Sequence, residues 1–219
     1  MRRSLLAAAA ALAFTGLAGT ANAAIVLVNT QPGSVPYNGP APTFDFDVNT
    51  PPVTGGLIKT GSSSNGAQPP ASTGFYYTVG PSTGTVGTVD ISSFTAPIGQ
   101  ISLIWGSVDT YNTLEFLDSV GNVLAQFTGS QIIASNFGNQ VLPGSNPIVY
   151  FSVDGSDSFN LAGLRLTSTS EAFEIDNIAL QAAVPEPATW ALMLLGFGFV
   201  GASLRSRKNR DTVRVRYSI

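Results

Sequence analysis

The sequence predicts an all-β fold, a single jelly-roll-like β-sandwich, and three observations support this prediction. Between Ala24 and Ala183, short runs of β-branched and aromatic residues alternate with turn residues, at a spacing typical of such sandwiches. No helical period persists there, and the internal repeat that a solenoid or propeller would need is missing. In several runs every second residue is apolar, as at Ile101, Leu103 and Trp105.

We predict ten strands within the body, which we define as residues 24–183. Alternation also places Phe44, Phe46 and Val48 on one face, which we expect to be buried. Gly121 supplies the positive φ that a tight hairpin at residues 118–122 requires. Residues 50–72 and 130–146, which are rich in turn-forming residues, are predicted to be surface loops. The predicted strands cover residues 24–29, 43–49, 74–79, 86–91, 100–107, 113–118, 122–128, 147–153, 161–167 and 172–180.

The residue types in the chain exclude several kinds of chemistry. The 219 residues include no His and no Cys, which removes Ser-His-Asp triads, Cys nucleophiles and zinc sites of nitrogen and sulfur ligands. The body has eleven acidic residues and two basic ones, a net charge of −9, so we expect no binding of nucleic acid. We predict that the protein is not an enzyme and carries no evident cofactor, although calcium held by oxygen ligands remains open.

The first 23 residues have the pattern of a secretory signal peptide. Arg2 and Arg3 precede an apolar run, and the small residues Ala21 and Ala23 fit the pocket of signal peptidase. We therefore expect residues 1–23 to form a helix that directs export through the inner membrane and is cut off after Ala23. The alternative is an uncleaved anchor helix, but the apolar run is short for one.

The chain ends with three segments in a fixed order. Residues 185–187 are Pro-Glu-Pro, residues 188–204 are an apolar run, and residues 205–210 are a basic cluster. As a helix the run would be about 25 Å long, so we predict a transmembrane helix with residues 209–219 as a cytoplasmic tail. The body would then lie outside the membrane. The pattern leaves open whether this is a permanent single-span anchor or a processed sorting tail.

This arrangement resembles the PEP-CTERM sorting signal over residues 184–208. The resemblance rests on the motif Pro185, Glu186, Pro187, Trp190 and Ala191, followed by a Gly- and Phe-rich apolar run and the basic cluster. It implies that an exosortase, a cysteine transpeptidase of the membrane, cuts near the motif. The protein would be anchored in the membrane before sorting and would reach the cell surface or extracellular matrix afterwards. Such tails follow unrelated bodies, so they indicate a destination and no activity.

Within the body, residues 101–118 are similar to a family of exosortase-dependent surface proteins without assigned activity. The segment Trp105-Gly-Ser-Val-Asp-Thr-Tyr-Asn112 is the distinctive part, and residues 173–178 resemble the usual end of such bodies. The resemblance implies a β-sandwich at the cell surface. We therefore predict a structural or adhesive role. The alternatives are a carbohydrate-binding module that acts on exopolysaccharide and, third, a glycosidase that uses carboxylates.

Candidate site residues lie in several parts of the body. Trp105 is in phase with its apolar neighbours and is expected in the core, so the better candidates for binding a ligand are Tyr111, Asp109 and Asn112. The apolar phase slips near Asp176, which predicts a β-bulge. Carboxylates at a bulge or turn suit calcium. The calcium candidates are Asp176, Asn177, Asp154 and Asp157, and the candidate acids for glycoside hydrolysis are Glu115, Glu171 and Glu174.

Overall fold

The computed structural model describes residues 24–184 and 187–208, and in this part the chain is mostly β-sheet, which confirms the all-β prediction. Eleven strands and a few short helical turns precede one long C-terminal helix. The strands are β1 (Ala24–Pro32), β2 (Val53–Gly55), β3 (Leu57–Thr60), β4 (Phe75–Val79), β5 (Val86–Asp90), β6 (Ile98–Gly106), β7 (Asn112–Asp118), β8 (Val123–Thr128), β9 (Pro147–Asp154), β10 (Leu161–Ser168) and β11 (Phe173–Ala182). The helices are α1 (Gly129–Ile132), α2 (Asp157–Asn160) and α3 (Pro187–Lys208), with a 3₁₀ turn at Pro143–Ser145.

The strands form two antiparallel sheets. One has six strands in the order β1-β9-β6-β11-β4-β3, and the other has five in the order β2-β5-β10-β7-β8. Strands distant in sequence are neighbours in both sheets, because β6 lies between β9 and β11 and β10 lies between β5 and β7. The order places the ends of β5 and β7 on either side of the start of β10.

The two sheets share one hydrophobic core. Ile101, Leu103 and Trp105 on β6 are fully buried, as their alternation predicts. Phe116 on β7 meets Phe151 on β9 across the core, with ring centroids 4.9 Å apart. Each buried side chain of this size contributes about 1.5–3 kcal/mol relative to exposure, so these contacts hold the sheets together. The prediction that Trp105 is a core residue is confirmed.

The predicted strand at residues 43–49 is wrong. Phe44 forms only an isolated bridge with Ile178, and the chain then bends. One carboxylate oxygen of Asp45 accepts the backbone N–H groups of residues 47, 48 and 49, which a strand would pair with a neighbour. The turn also separates the three residues expected on one face. Phe44 and Phe46 are buried, whereas Val48 is 85% exposed.

The predicted loop at residues 50–72 includes two short strands. β2 pairs with β5 and β3 pairs with β4, so each forms an edge of a sheet. Strands of three and four residues are too short to show a period, and the partner strands decide their conformation. The predicted loop at 130–146 contains no strand, and Gly121 has φ 88° in the hairpin between β7 and β8, as expected.

Residues 61–74 cover part of the outer face of the six-stranded sheet. Ala71 packs on Ile104 and Ile148, and the backbone N–H of Ala67 donates to the Glu174 carboxylate at 2.9 Å. Glu174 and Asp176, both on the outer face of β11, are therefore almost fully buried although they are ionisable. The space between residues 61–74 and the six-stranded sheet is therefore a second buried region, and it is more polar than the core between the two sheets.

Candidate functional sites

The predicted processing sites lie mostly outside the described residues. Ala21 and Ala23 of the signal peptide, and Pro185 and Glu186 of the sorting motif, belong to the parts of the chain that the structure does not describe. Pro187 is the first residue of α3. Its position at the start of the helix agrees with the geometry of proline, which fixes φ and lacks the N–H that a first helical turn leaves unpaired.

Helix α3 presents large apolar side chains to its surroundings on all sides. Trp190 and Ala191 of the sorting motif are exposed on it. Nine large apolar residues of the helix are each more than half exposed, and residues 188–204 include no charged residue. Among the residues whose structure is described, no helix meets the length and apolarity that crossing a membrane requires. The transmembrane role predicted for 188–204 is therefore not confirmed.

Tyr111 and Asp109 come together beside β7. The Tyr111 hydroxyl lies 2.6 Å from Asp109 Oδ2 and 2.9 Å from the backbone oxygen of Glu171, and can donate its proton to either. Burial raises the pKa of Asp109, and burial together with Asp109 raises the pKa of Tyr111. The polar tip of Tyr111 is thus occupied within the protein, and the residue as a whole is half-buried.

Asn112 has a different role from Tyr111 and Asp109. Its side chain is fully buried, donates to the backbone oxygen of Ala172 at 3.3 Å and accepts a hydrogen bond from the Ser168 hydroxyl at 2.7 Å. Both partners lie on or beside strands that follow much later in the chain. Asn112 therefore ties the start of β7 to the end of β10 and to the segment before β11.

The four calcium candidates are not brought together. The bulge at Asp176 and Asn177 is confirmed, because the register between β11 and β6 shifts there and Asn177 has φ 50°. Through β6, Asp176 lies level with Ile148 at the start of β9, whereas Asp154 ends that strand about 20 Å away. Within residues 24–184 and 187–208, no three acidic side chains are grouped as a metal site would require.

Asp176 is nevertheless unusual, because it is a carboxylate with 1% exposure. One of its oxygens accepts the N–H of Asn177 at 2.7 Å, and among the described residues the other has no hydrogen-bond partner. The Ser72 hydroxyl lies close enough to lower its pKa but is not positioned to hydrogen-bond. Burial outweighs these contacts and, together with the charges of Asp47 and Asp45, raises the pKa of Asp176 to about 7.

The three glutamates considered for glycoside hydrolysis are each engaged by a different partner. Glu115 forms an ion pair with Arg165 at 2.5 Å, and Glu171 accepts hydrogen bonds from Ser82. Glu174 accepts the Ser107 hydroxyl at 2.6 Å beneath the cover formed by residues 61–74, where burial raises its pKa. The contacts described here give each of these carboxylates a local structural role.

Sequence reasoning missed a groove on the outer face of the five-stranded sheet. Asp90 at the end of β5 and Asp118 at the end of β7 lie near its walls, and Ala162 and Gly163 of β10 lie between them. In the sequence, both aspartates look like ordinary turn residues whose side chains hydrogen-bond to the nearby backbone, so neither indicates a groove. Only the strand order brings them to the same groove.

Comparison with known proteins identifies the C-terminal segment. Residues 183–208 match the PEP-CTERM protein-sorting motif, which confirms the resemblance seen in the sequence. The match supports export and exosortase-dependent sorting, with an exosortase as the processing partner. It covers the tail alone and does not address the body. No curated protein and no solved structure matches the chain significantly.

Proposed function

We propose that this exosortase-sorted protein acts outside the cell in a structural or adhesive role, with the body as its mature form. The observation that carries the proposal is the sorting motif at residues 183–208, directly after the last strand of the body. Both sheets are complete before that motif begins, because β11 ends at Ala182. Removal of the tail would therefore leave the eleven strands described for residues 24–184 and the shared core in place.

In this proposal α3 holds the chain in the inner membrane until the exosortase acts. Its uncharged part, residues 188–204, corresponds to about 25 Å of helix, somewhat shorter than the roughly 30 Å of a hydrocarbon core, so the flanking residues would reach into the membrane interfaces. Its large apolar side chains are exposed, and an apolar helix of this kind is stable when lipid or protein surrounds it. The basic cluster at residues 205–210 would stay on the cytoplasmic side, which places the body outside.

A structural or adhesive role also agrees with the chemistry of the body. The body contains no His or Cys, and the glutamates that could serve as acids are held by Arg165, Ser82 and Ser107. Its net charge of −9 favours solubility at the surface. A core of buried aliphatic and aromatic side chains, without disulfides, supplies the stability that an extracellular domain needs.

The experiment is intact-mass analysis of the protein from surface and membrane fractions of its native host. The expected mature form starts near Ala24 and ends near Pro187. Glu186→Ala should leave residues 188–219 attached in the membrane fraction. Asp211→Ala, which removes the other acidic residue beyond the body, should be processed like the wild type. A wild-type protein that keeps residues 188–219 at the surface would show that the tail is a permanent anchor.

A further inference from the structure

The groove on the five-stranded sheet is built where three strands meet. Gly163 on β10 pairs with Asp90 on one side and with Leu117 on the other, and a bulge at Ala162 interrupts the second pairing. Since β5 and β7 are both neighbours of β10, their backbones lie about 10 Å apart. The small residues of β10 form the floor between them, so the surface is concave here.

Two adjoining cavities make the groove longer than either alone. The first has a volume of about 280 Å³ and extends from the end of β5 to the hairpin after β7. The second has about 340 Å³ and extends towards α2. Ser92, Ser119 and Ala162 line both, so the two lie side by side. Their combined volume is in the range of small-molecule sites and would hold a few sugar rings.

The residues around the groove are of two complementary kinds. Phe159 lines the second cavity and is 76% exposed, so most of its ring is open to a ligand in the groove. Asp90, Asn160 and several hydroxyl groups offer hydrogen-bonding atoms along the same groove. A ligand with apolar C–H faces and many hydroxyl groups would use both kinds of residue, and a sugar ring has both.

The charge of the groove selects among such ligands. No Lys or Arg is among the described residues that line it, and Arg165 farther along β10 is paired with Glu115. Phosphate, sulfate or uronate groups would find no partner and would face Asp90 and Asp118. Hydroxyl groups can donate to these same carboxylates, so the groove favours an uncharged chain of sugars.

We propose that this groove is a binding site for a neutral polysaccharide, with Phe159 stacking on one sugar ring and Asp90 accepting hydrogen bonds from hydroxyl groups of the next. This binding activity is separate from sorting, although the groove would encounter such a polymer only after the protein has been exported. It lies elsewhere than the Tyr111 position expected from the sequence.

We expect the groove to bind a polysaccharide without cleaving it. Hydrogen bonds from Ser92 hold the pKa of Asp90 below its usual value, and those from Asn122 do the same for Asp118. Both groups are therefore ionised at neutral pH and accept hydrogen bonds. Glycoside hydrolysis would need one of them protonated as a general acid.

The test measures binding of the full chain to immobilised dextran, galactomannan and mixed-linkage β-glucan, with alginate as the anionic comparison. The detergent must have a polyoxyethylene head group, because maltosides and glucosides would compete for the site. We expect the wild type to bind at least one neutral polymer and not alginate. Phe159→Ala and Asp90→Ala should each weaken binding about tenfold. Ser119→Trp should abolish it by filling the junction of the two cavities.

Phe137→Ala is the matched control, because Phe137 is an exposed aromatic residue that does not line the groove. It should bind like the wild type, and circular dichroism should show that all variants are folded. No binding of the wild type to any neutral polymer, or equal binding by folded Phe159→Ala and Ser119→Trp variants, would overturn the proposal. Release of reducing sugar ends would overturn binding without cleavage. Intact-mass analysis measures sorting and the polysaccharide assay measures binding, so the sorting proposal and the binding proposal can each fail independently of the other.

Discussion

Replacing Asp176 by Asn removes a carboxylate that the fold buries without a cation beside it. The groups that face it are the carboxylates of Asp45 and Asp47 and the hydroxyls of Tyr37 and Ser72. The two basic residues of the body are engaged elsewhere, Lys59 with Asn65 at 2.9 Å and Arg165 with Glu115. No other described residue therefore compensates the charge on Asp176 when the carboxylate is ionised.

The pKa shift sets the size and the sign of the effect. The pKa of Asp176 rises from 3.8 to about 7 on folding, so between these values the folded state holds a proton that the unfolded state has lost. The free energy of unfolding consequently falls as pH rises through this window. The full loss, reached above pH 7, is roughly 4 kcal/mol, since each pKa unit corresponds to about 1.4 kcal/mol.

We therefore expect Asp176→Asn to match the wild type near pH 4 and to be more stable at pH 8 by roughly 4 kcal/mol. The assay is urea denaturation of the segment 24–184 at pH 4, 6 and 8, followed by the fluorescence of Trp105, the one tryptophan in that segment. Trp105 is fully buried and stacked on Phe173, so unfolding changes its emission.

Asp118→Asn serves as the control of opposite sign. Hydrogen bonds from Asn122 lower the pKa of Asp118, so its contribution to stability is present above its unfolded pKa of about 3.8 and is lost only as pH falls below that. Asp118→Asn should therefore be less stable than the wild type at pH 6 and pH 8 alike. The reasoning about Asp176 is refuted if Asp176→Asn and the wild type lose stability in parallel between pH 4 and pH 8.

Two further predictions concern the hairpin and the predicted ligand residues. Gly121→Ala should cost about 1 kcal/mol in urea denaturation, because Gly121 has φ 88°, whereas Gly144→Ala should be nearly neutral. A Cβ would meet no atom within 4 Å at either site, so equal costs would contradict the backbone argument. Asn112→Ala should cost about 2 kcal/mol by leaving the Ser168 hydroxyl and the Ala172 carbonyl group without this partner. Unchanged stability would contradict a structural role for Asn112.

The elements that could be predicted were those whose signal is local. Alternation at Ile101, Leu103 and Trp105 requires only that one face of a strand be buried, and all three are buried. The phase slip at Asp176 and Asn177 likewise showed the bulge, and the sorting motif was readable because its recognition depends on a contiguous stretch of chain.

The strand at residues 43–49 was wrongly predicted because two local signals competed there. Apolar alternation favoured a strand, but the Asp45 carboxylate captured three backbone N–H groups and turned the chain. The relative strength of these two local preferences cannot be read from the sequence. The same applies to β2 and β3, whose few residues become strands because β5 and β4 offer them a free edge.

The sequence alone indicates where the protein is sorted and which catalytic residues it lacks. A Pro-Glu-Pro tail and the absence of His and Cys have the same meaning whatever the fold. The surroundings of each carboxylate depend instead on strand order. Asp90 and Asp118 are 28 positions apart, yet β10 brings them to one open groove, while the buried Asp176 lies beside Ser72, about a hundred residues earlier in the chain. Whether an acid is solvated, paired or buried is a property of contacts between distant segments, and folding alone brings those segments together.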